Sequence, residues 1–164
     1  MADIDDVPKY VKSISPLEKK LMHAFWPGPL TIVFPKKEII PFETSGGLDT
    51  VAIRCPAHEA TRALIRAAGV PIAGPSANIS TRPSPTTADD VMHDMNGKIE
   101  AVIDGGMSLI GLESTIVAVK GETILIYRPG GITKEMLSLY GETKVDALTS
   151  SDEAPKAPGM KYRH

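Results

Sequence analysis

The chain has 164 residues, 42% apolar and 23% charged, which is the balance of one globular domain with a sizeable core. A formal net charge of −2 gives no overall basic field for nucleic acid or membrane, and 5% aromatic residues leave little for a base-stacking platform. The single cysteine, Cys55, excludes an internal disulfide framework and a multi-cysteine zinc site; it reads as a small buried apolar residue.

The opening, MADIDDVPKY, is acidic and lacks the apolar run of a signal peptide, and no stretch of the chain is long enough to span a membrane. The cytoplasm is the expected compartment. Val7, Tyr10, Val11 and Ile14 recur at helical spacing and predict a first helix. Ser15-Pro16-Leu17-Glu18 has the form of a capping box with proline at the first helical position, so a second helix follows, with Leu17, Leu21 and Phe25 on one face. WPGPL ends it, LTIVF is a strand, residues 36–50 form a loop, and TVAIRC (50–55) is the next strand.

A helix opened by Pro56 places Ala60, Leu64 and Ala67 on one face and stops at Gly69. VPIAG reads as a short buried strand, followed by a polar loop over 74–86. Thr87 caps a helix with Asp89 and Asp90 in its first turn, closed by Gly97. EAVIDGG is predicted as a strand with a Gly-rich loop. STIVAVK and TILIYRPG form a hairpin, and Thr133 caps a last helix that stops at Gly141. The chain is linker-like from 142, and the domain is drawn over 1–145 with a linker over 146–164. Helices alternating with strands, plus one hairpin, predict an α/β domain with an open, twisted, mixed sheet.

Common catalytic templates fit poorly. Gly74-Pro75-Ser76-Ala77-Asn78 lacks the final glycine of a nucleophile elbow, and Gly106 to Gly111 has P-loop glycines without the lysine and hydroxyl that follow them. His23, His58, His93 and His164 have no metal-pair spacing, and no metal site is expected. What remains is a matter of position. Arg54, the Ser76/Asn78 loop and Arg128-Pro129-Gly130-Gly131 sit at strand ends, and Glu113-Ser114-Thr115 sits where a loop re-enters a strand. Open α/β sheets bind ligands outside the carboxyl ends of their strands, and arginines, hydroxyls and close-approaching backbone cradle anions. The residues alone suggest an anion-binding α/β domain with these groups facing one concave pocket. Taken singly, Ser76 and Asn78 also suit simple turn chemistry, and each arginine a surface ion pair.

FWPGPLTIV, VAIRCP, GPSANIS, IDGG, GLESTIVAV, YRPGGIT and APGMKYRH together resemble the YrdC-like threonylcarbamoyl-adenylate synthase family, in its two-domain form. The resemblance implies synthesis of threonylcarbamoyl-adenylate and pyrophosphate from L-threonine, bicarbonate and ATP, with Mg²⁺ accompanying the nucleotide. The product feeds a downstream transferase that modifies tRNA, and contact with tRNA itself is a further implication. By the same resemblance Ser76, Asn78 and Arg128 bind nucleotide, while Arg54, Ser114 and Thr115 bind threonine and bicarbonate. Arg54 and Ser114 are the catalytic candidates. Tyr162 and His164 belong to a linker segment that covers the site. The family's N-terminal portion with its Lys-x-Arg motif and its second domain have no counterpart in these residues, so an incomplete, weakly active or inactive fragment is the expectation.

Two other readings compete. One is an RNA-binding module, against which the acidic net charge and few aromatics weigh. The other is a carbamoyl-transfer domain of the hydrogenase-maturation type.

Overall fold

The computed structural model describes residues 1–79, 81–108 and 111–146. These residues form two compact units, one of residues 1–72 with 112–146 and one of the described residues between 73 and 111.

The capping box at Ser15 starts the first unit's principal helix, α1 (Pro16–Phe25). Ser15 Oγ accepts from the Glu18 N–H at 3.2 Å, and the Glu18 carboxylate accepts from the Ser15 N–H at 2.6 Å. Leu21 and Met22 are buried from this helix, and the Trp26 indole N–H, after its end, donates to Leu30 O at 2.6 Å. The strands are β1 (Leu30–Pro35), β2 (Thr50–Ile53), β3 (Thr115–Lys120), β4 (Thr123–Arg128) and β5 (Glu142–Val145). Their order is β2-β1-β3-β4-β5. The β1/β2 and β3/β4 pairs are antiparallel, and the β1/β3 and β4/β5 pairs are parallel, so the sheet is mixed as expected.

Side chains alternate across a strand, and the two faces differ. Leu30, Ile32, Phe34, Ile53, Val117, Ile124 and Ile126 join Leu21, Met22 and Trp26 in the main core. The opposite face carries a smaller buried apolar cluster of Val33, Ile116 and Ala118, with Ala52 and Tyr127 packed against it. One irregularity crosses this pattern. Ile116 pairs with Arg128 but Val117 pairs with Ile126, which leaves Tyr127 as the extra residue of a β-bulge. Strict alternation from buried Ile126 would turn Arg128 towards the main core; the extra residue gives it the face of Ile116.

Several expectations need correction. The first helix is a 3₁₀ helix over Ile4–Lys9, and Val11 instead makes an antiparallel bridge to Lys36. Lys12 N–H donates to Pro35 O and Lys37 N–H to Tyr10 O, so sheet-like pairing takes the backbone groups a longer helix would use. Helix α2 spans Glu59–Ala68 with His58 as its cap and left-handed Gly69 after its end, but its buried residue is Ile65, while Leu64 is exposed. VPIAG is not a strand: it has no ladder partner, and Val70 and Ile72 are exposed. EAVIDGG is likewise irregular, with Ile103 exposed. Residues 142–145 are not linker but the edge strand β5, paired with β4.

In the second unit Thr87 caps helix α3 (Ala88–Met95) through a capping box with Asp90. Thr133 caps α4 (Lys134–Ser138) in the first unit, and Leu137 is buried there.

Candidate functional site

In the first unit the polar groups gather at one end of the sheet, on the face with the smaller apolar cluster. Thr31 Oγ1 and Ser114 Oγ lie 2.7 Å apart and both residues are buried. Arg128 reaches the same hydroxyl. Its Nη2 donates to Ser114 Oγ at 3.2 Å and to Ser114 O at 3.0 Å, its Nε donates to Ser114 O at 3.2 Å, and its Nη1 pairs with Glu113 Oε2 at 2.8 Å. Much of this guanidinium is therefore spent on fixing the Glu113–Ser114 segment. Burial draws the Arg128 pKa down, and Glu113 acts in the opposite direction.

Arg54 follows the end of β2. Its Nε donates to Gly28 O at 3.1 Å, and its two terminal nitrogens have no hydrogen bond among the described residues. Gly28 is itself tied to this strand end, its N–H donating to Cys55 O at 2.8 Å. Arg54 is exposed over the residue as a whole, yet its guanidinium is crowded enough that desolvation lowers its pKa. The charge of Arg128 is the second cause of that lowering, which puts the two arginines within electrostatic reach of each other. Two guanidiniums accompanied by one carboxylate leave this end of the sheet positive.

Thr115 is turned differently from Ser114. It is fully buried; its hydroxyl donates to Ile132 O at 2.6 Å and accepts from the Ile132 N–H at 2.9 Å. These bonds join the start of β3 to the segment that leads into α4. Gly130 completes the junction. A Cβ there would collide with backbone atoms of Glu113, Ser114 and Thr115, so only glycine lets the chains approach so closely. Gly131 N–H donates to Glu113 O at 3.0 Å across the same contact.

Ser76 and Asn78 lie in the second unit. Ser76 is exposed. The Asn78 side-chain amide donates to Ile79 O at 2.9 Å and Arg82 O at 3.0 Å. Two carbonyl acceptors fix which amide atom faces them, and Asn78 Oδ1 is left buried with no hydrogen-bond partner among the described residues. Tyr162 and His164 lie outside the described residues.

Sequence reasoning passed over Thr31, Arg82 and Asp94, and it named Glu113 only as part of the Glu113-Ser114-Thr115 motif. Thr31 carried a usable signal as the one polar residue inside LTIVF. Nothing in the letters separates Asp94 from Asp89 or Asp90, because its role depends on which turn of α3 faces the loop. A cavity of about 450 Å³ in the first unit, bordered by Lys12, Lys19, His23 and Lys37 among others, contains none of the predicted site residues.

Residues 1–130 match the family model Sua5/YciO/YrdC, described as telomere recombination. The chain belongs to this family. The whole chain is 46% identical to the threonylcarbamoyl-AMP synthase of Pyrococcus abyssi and 44% identical to that of Bacillus subtilis, covering 49% and 48% of those proteins. It superimposes on the crystal structure of P. abyssi Sua5 complexed with L-threonine with a TM-score of 0.92 at 44% identity, covering all of this chain and 49% of that one. The chain thus spans about half the length of the curated relatives it matches, and its mixed sheet is the Sua5/YciO/YrdC fold. No helix among the described residues is long and apolar enough to cross a membrane.

Proposed function

We propose that this Sua5/YciO/YrdC chain serves the synthesis of threonylcarbamoyl-adenylate from L-threonine, bicarbonate and ATP, with release of pyrophosphate, and supplies part of the site for that reaction. The observation that carries the reading is the pair of arginines at one sheet end. Desolvation lowers the pKa of both, the charge of Arg128 lowers that of Arg54 further, and one carboxylate balances the two charges only in part. A bound anion relieves that electrostatic cost. The reaction offers suitable anions in the threonine carboxylate and the carbamate formed on its nitrogen.

Arg54, whose terminal nitrogens have no hydrogen bond among the described residues, is the bidentate partner for a carboxylate, and Ser114 Oγ supplies the adjoining polar contact. Arg128 holds Ser114 in place and adds positive charge on the nucleotide side. Thr115 acts through the backbone, fixing Ser114 from its bonds to Ile132. Ser76 supplies a hydroxyl to nucleotide phosphate. Asn78, whose amide nitrogen is bonded to Ile79 O and Arg82 O, contributes to the nucleotide site by fixing the loop that carries Ser76. Attack of the carbamate oxygen on the α-phosphorus expels pyrophosphate, and positioning with charge neutralisation is what such a transfer requires. Magnesium accompanying the nucleotide would be held by its phosphates and would neutralise their charge.

The adenylate is consumed by a transferase that modifies tRNA, and the cytoplasm is the compartment in which we place the reaction. The names of the curated relatives favour the synthase over an RNA-binding module or a carbamoyl-transfer domain. The test is pyrophosphate release by the intact protein, with the adenylate identified by mass. Release that requires threonine, bicarbonate and ATP together is expected. Release independent of threonine would overturn the reading.

A further inference from the structure

We propose that Asp94 is a positioning residue that holds the Ser76–Asn78 loop in its nucleotide-binding shape; this rests on the reading of that loop given above. Asp94 stands in the last turn of α3 and is 8% exposed. One carboxylate oxygen accepts from the Ile79 N–H at 3.1 Å, and the other pairs with the Arg82 guanidinium. These are the two residues whose carbonyls receive the Asn78 amide. Residues 79 and 82 are each held twice, once by Asn78 and once by Asp94, and the Arg82 N–H closes the turn onto Ile79 O at 3.0 Å.

The ring of contacts decides what Asn78 can offer. With its amide nitrogen bound to two carbonyls, the side chain cannot turn over, and Oδ1 is left without a partner among the described residues. Thr81, between the two clamped residues, has φ +79°, a left-handed conformation that a β-branched residue holds only when its surroundings over-determine it. Removing the carboxylate frees that turn to relax and releases the Asn78 amide. Asp94 is itself well anchored. The Thr87–Asp90 capping box fixes the start of α3, and Lys98 Nζ donates to Asp94 O at 2.8 Å. His93 Nδ1, 3.3 Å from the carboxylate, is the remaining polar neighbour.

The test uses Asp94→Ala, Asp94→Asn and Arg82→Ala in the intact protein, with ATP and L-threonine titrated separately by calorimetry. Asp94→Ala is expected to weaken ATP roughly tenfold, the scale of losing a charge-assisted contact, with threonine affinity unchanged. Asp94→Asn, which keeps an acceptor for the Ile79 N–H, should recover part of the loss. A folded Asp94→Ala protein with unaltered ATP affinity would overturn the proposal, as would equal weakening of both ligands. If Asp94→Ala does not fold, Arg82→Ala decides by the same criterion, because half of that side chain is exposed. Failure of the wild-type protein to bind ATP would instead overturn the nucleotide reading of the loop.

Discussion

Thr31 Oγ1 and Ser114 Oγ meet at 2.7 Å across the parallel pair of β1 and β3, a buried hydroxyl contact between residues 83 positions apart in the chain. It joins the strand the sequence marks most clearly to the loop that delivers Ser114. Thr31→Val keeps the shape and deletes the bond. We expect a loss of about 1 kcal/mol in unfolding free energy, the usual net value of one hydrogen bond. Urea denaturation gives that number, and threonine titration should show weaker binding with ATP affinity preserved. Unchanged values in both measurements would show that Ser114 is fixed by Arg128 alone.

Arg54 and Asn78 should divide the ligands between them. Arg54→Ala is expected to weaken threonine by about tenfold or more, as loss of a charge-assisted contact does, and Asn78→Ala to weaken ATP. Arg54→Lys should not rescue, because an ammonium cannot reproduce the planar fork. Calorimetric titration of each ligand against each variant checks this. Loss of both ligands in both variants would remove the division of roles.

Gly130→Ala should destabilise the protein by about 1–3 kcal/mol, since the new methyl meets backbone rather than a side chain that can move aside. Chemical denaturation measures the cost. Threonine binding should fall with it, because the atoms displaced belong to Glu113, Ser114 and Thr115. A stable, fully binding variant would mean that the junction yields without consequence.

Acid should loosen the N-terminal segment. The Arg66 guanidinium, bonded to the Asp3 carboxylate at 2.9 Å, and secondarily Arg62 hold the Asp3 pKa down at about 2, against an ordinary 3.8. Glu59 shares both arginines. A depressed carboxylate contributes stability that is present above its unfolded pKa and is lost as pH falls through its folded one. Asp3→Asn should therefore lower the melting temperature at pH 5–7, and the gap to wild type should close between pH 3.8 and about 2. A gap constant with pH would assign the effect to packing.

Local chemistry was the legible part of this fold. Ser15 and Glu18 form the capping box their spacing announces, Thr87 caps α3, and STIVAVK with TILIYRPG pair as a hairpin. Segments whose fate depends on distant partners were not legible. VPIAG and EAVIDGG have the apolar content of strands but no neighbour among the described residues to complete a ladder, whereas the weakly apolar ETKV becomes β5 because β4 offers an edge. The same division runs through the site. Arg54, Ser114 and Arg128 could be singled out from their places at strand ends. That Arg128 would be spent largely on Ser114 and Glu113, and that Thr115 would turn inward to Ile132, are tertiary facts with no sequence period to reveal them.

The bulge at Tyr127 gives β4 something like a reading frame. A substitution there alters one side chain, and deletion of Tyr127 would restore strict alternation with the arginine still opposite Ile116 on the Ser114 side of the sheet, whereas flattening the bulge with Tyr127 retained would rotate the arginine into the layer occupied by Ile124 and Ile126. A guanidinium cannot remain there unpaired, so the strand would slip, twist or unpair. Backbone shape at this point is therefore constrained more tightly than composition: Tyr127 can be exchanged for other residues that fit a bulge, or lost together with the bulge, but while the extra residue is present the bulge has to stay.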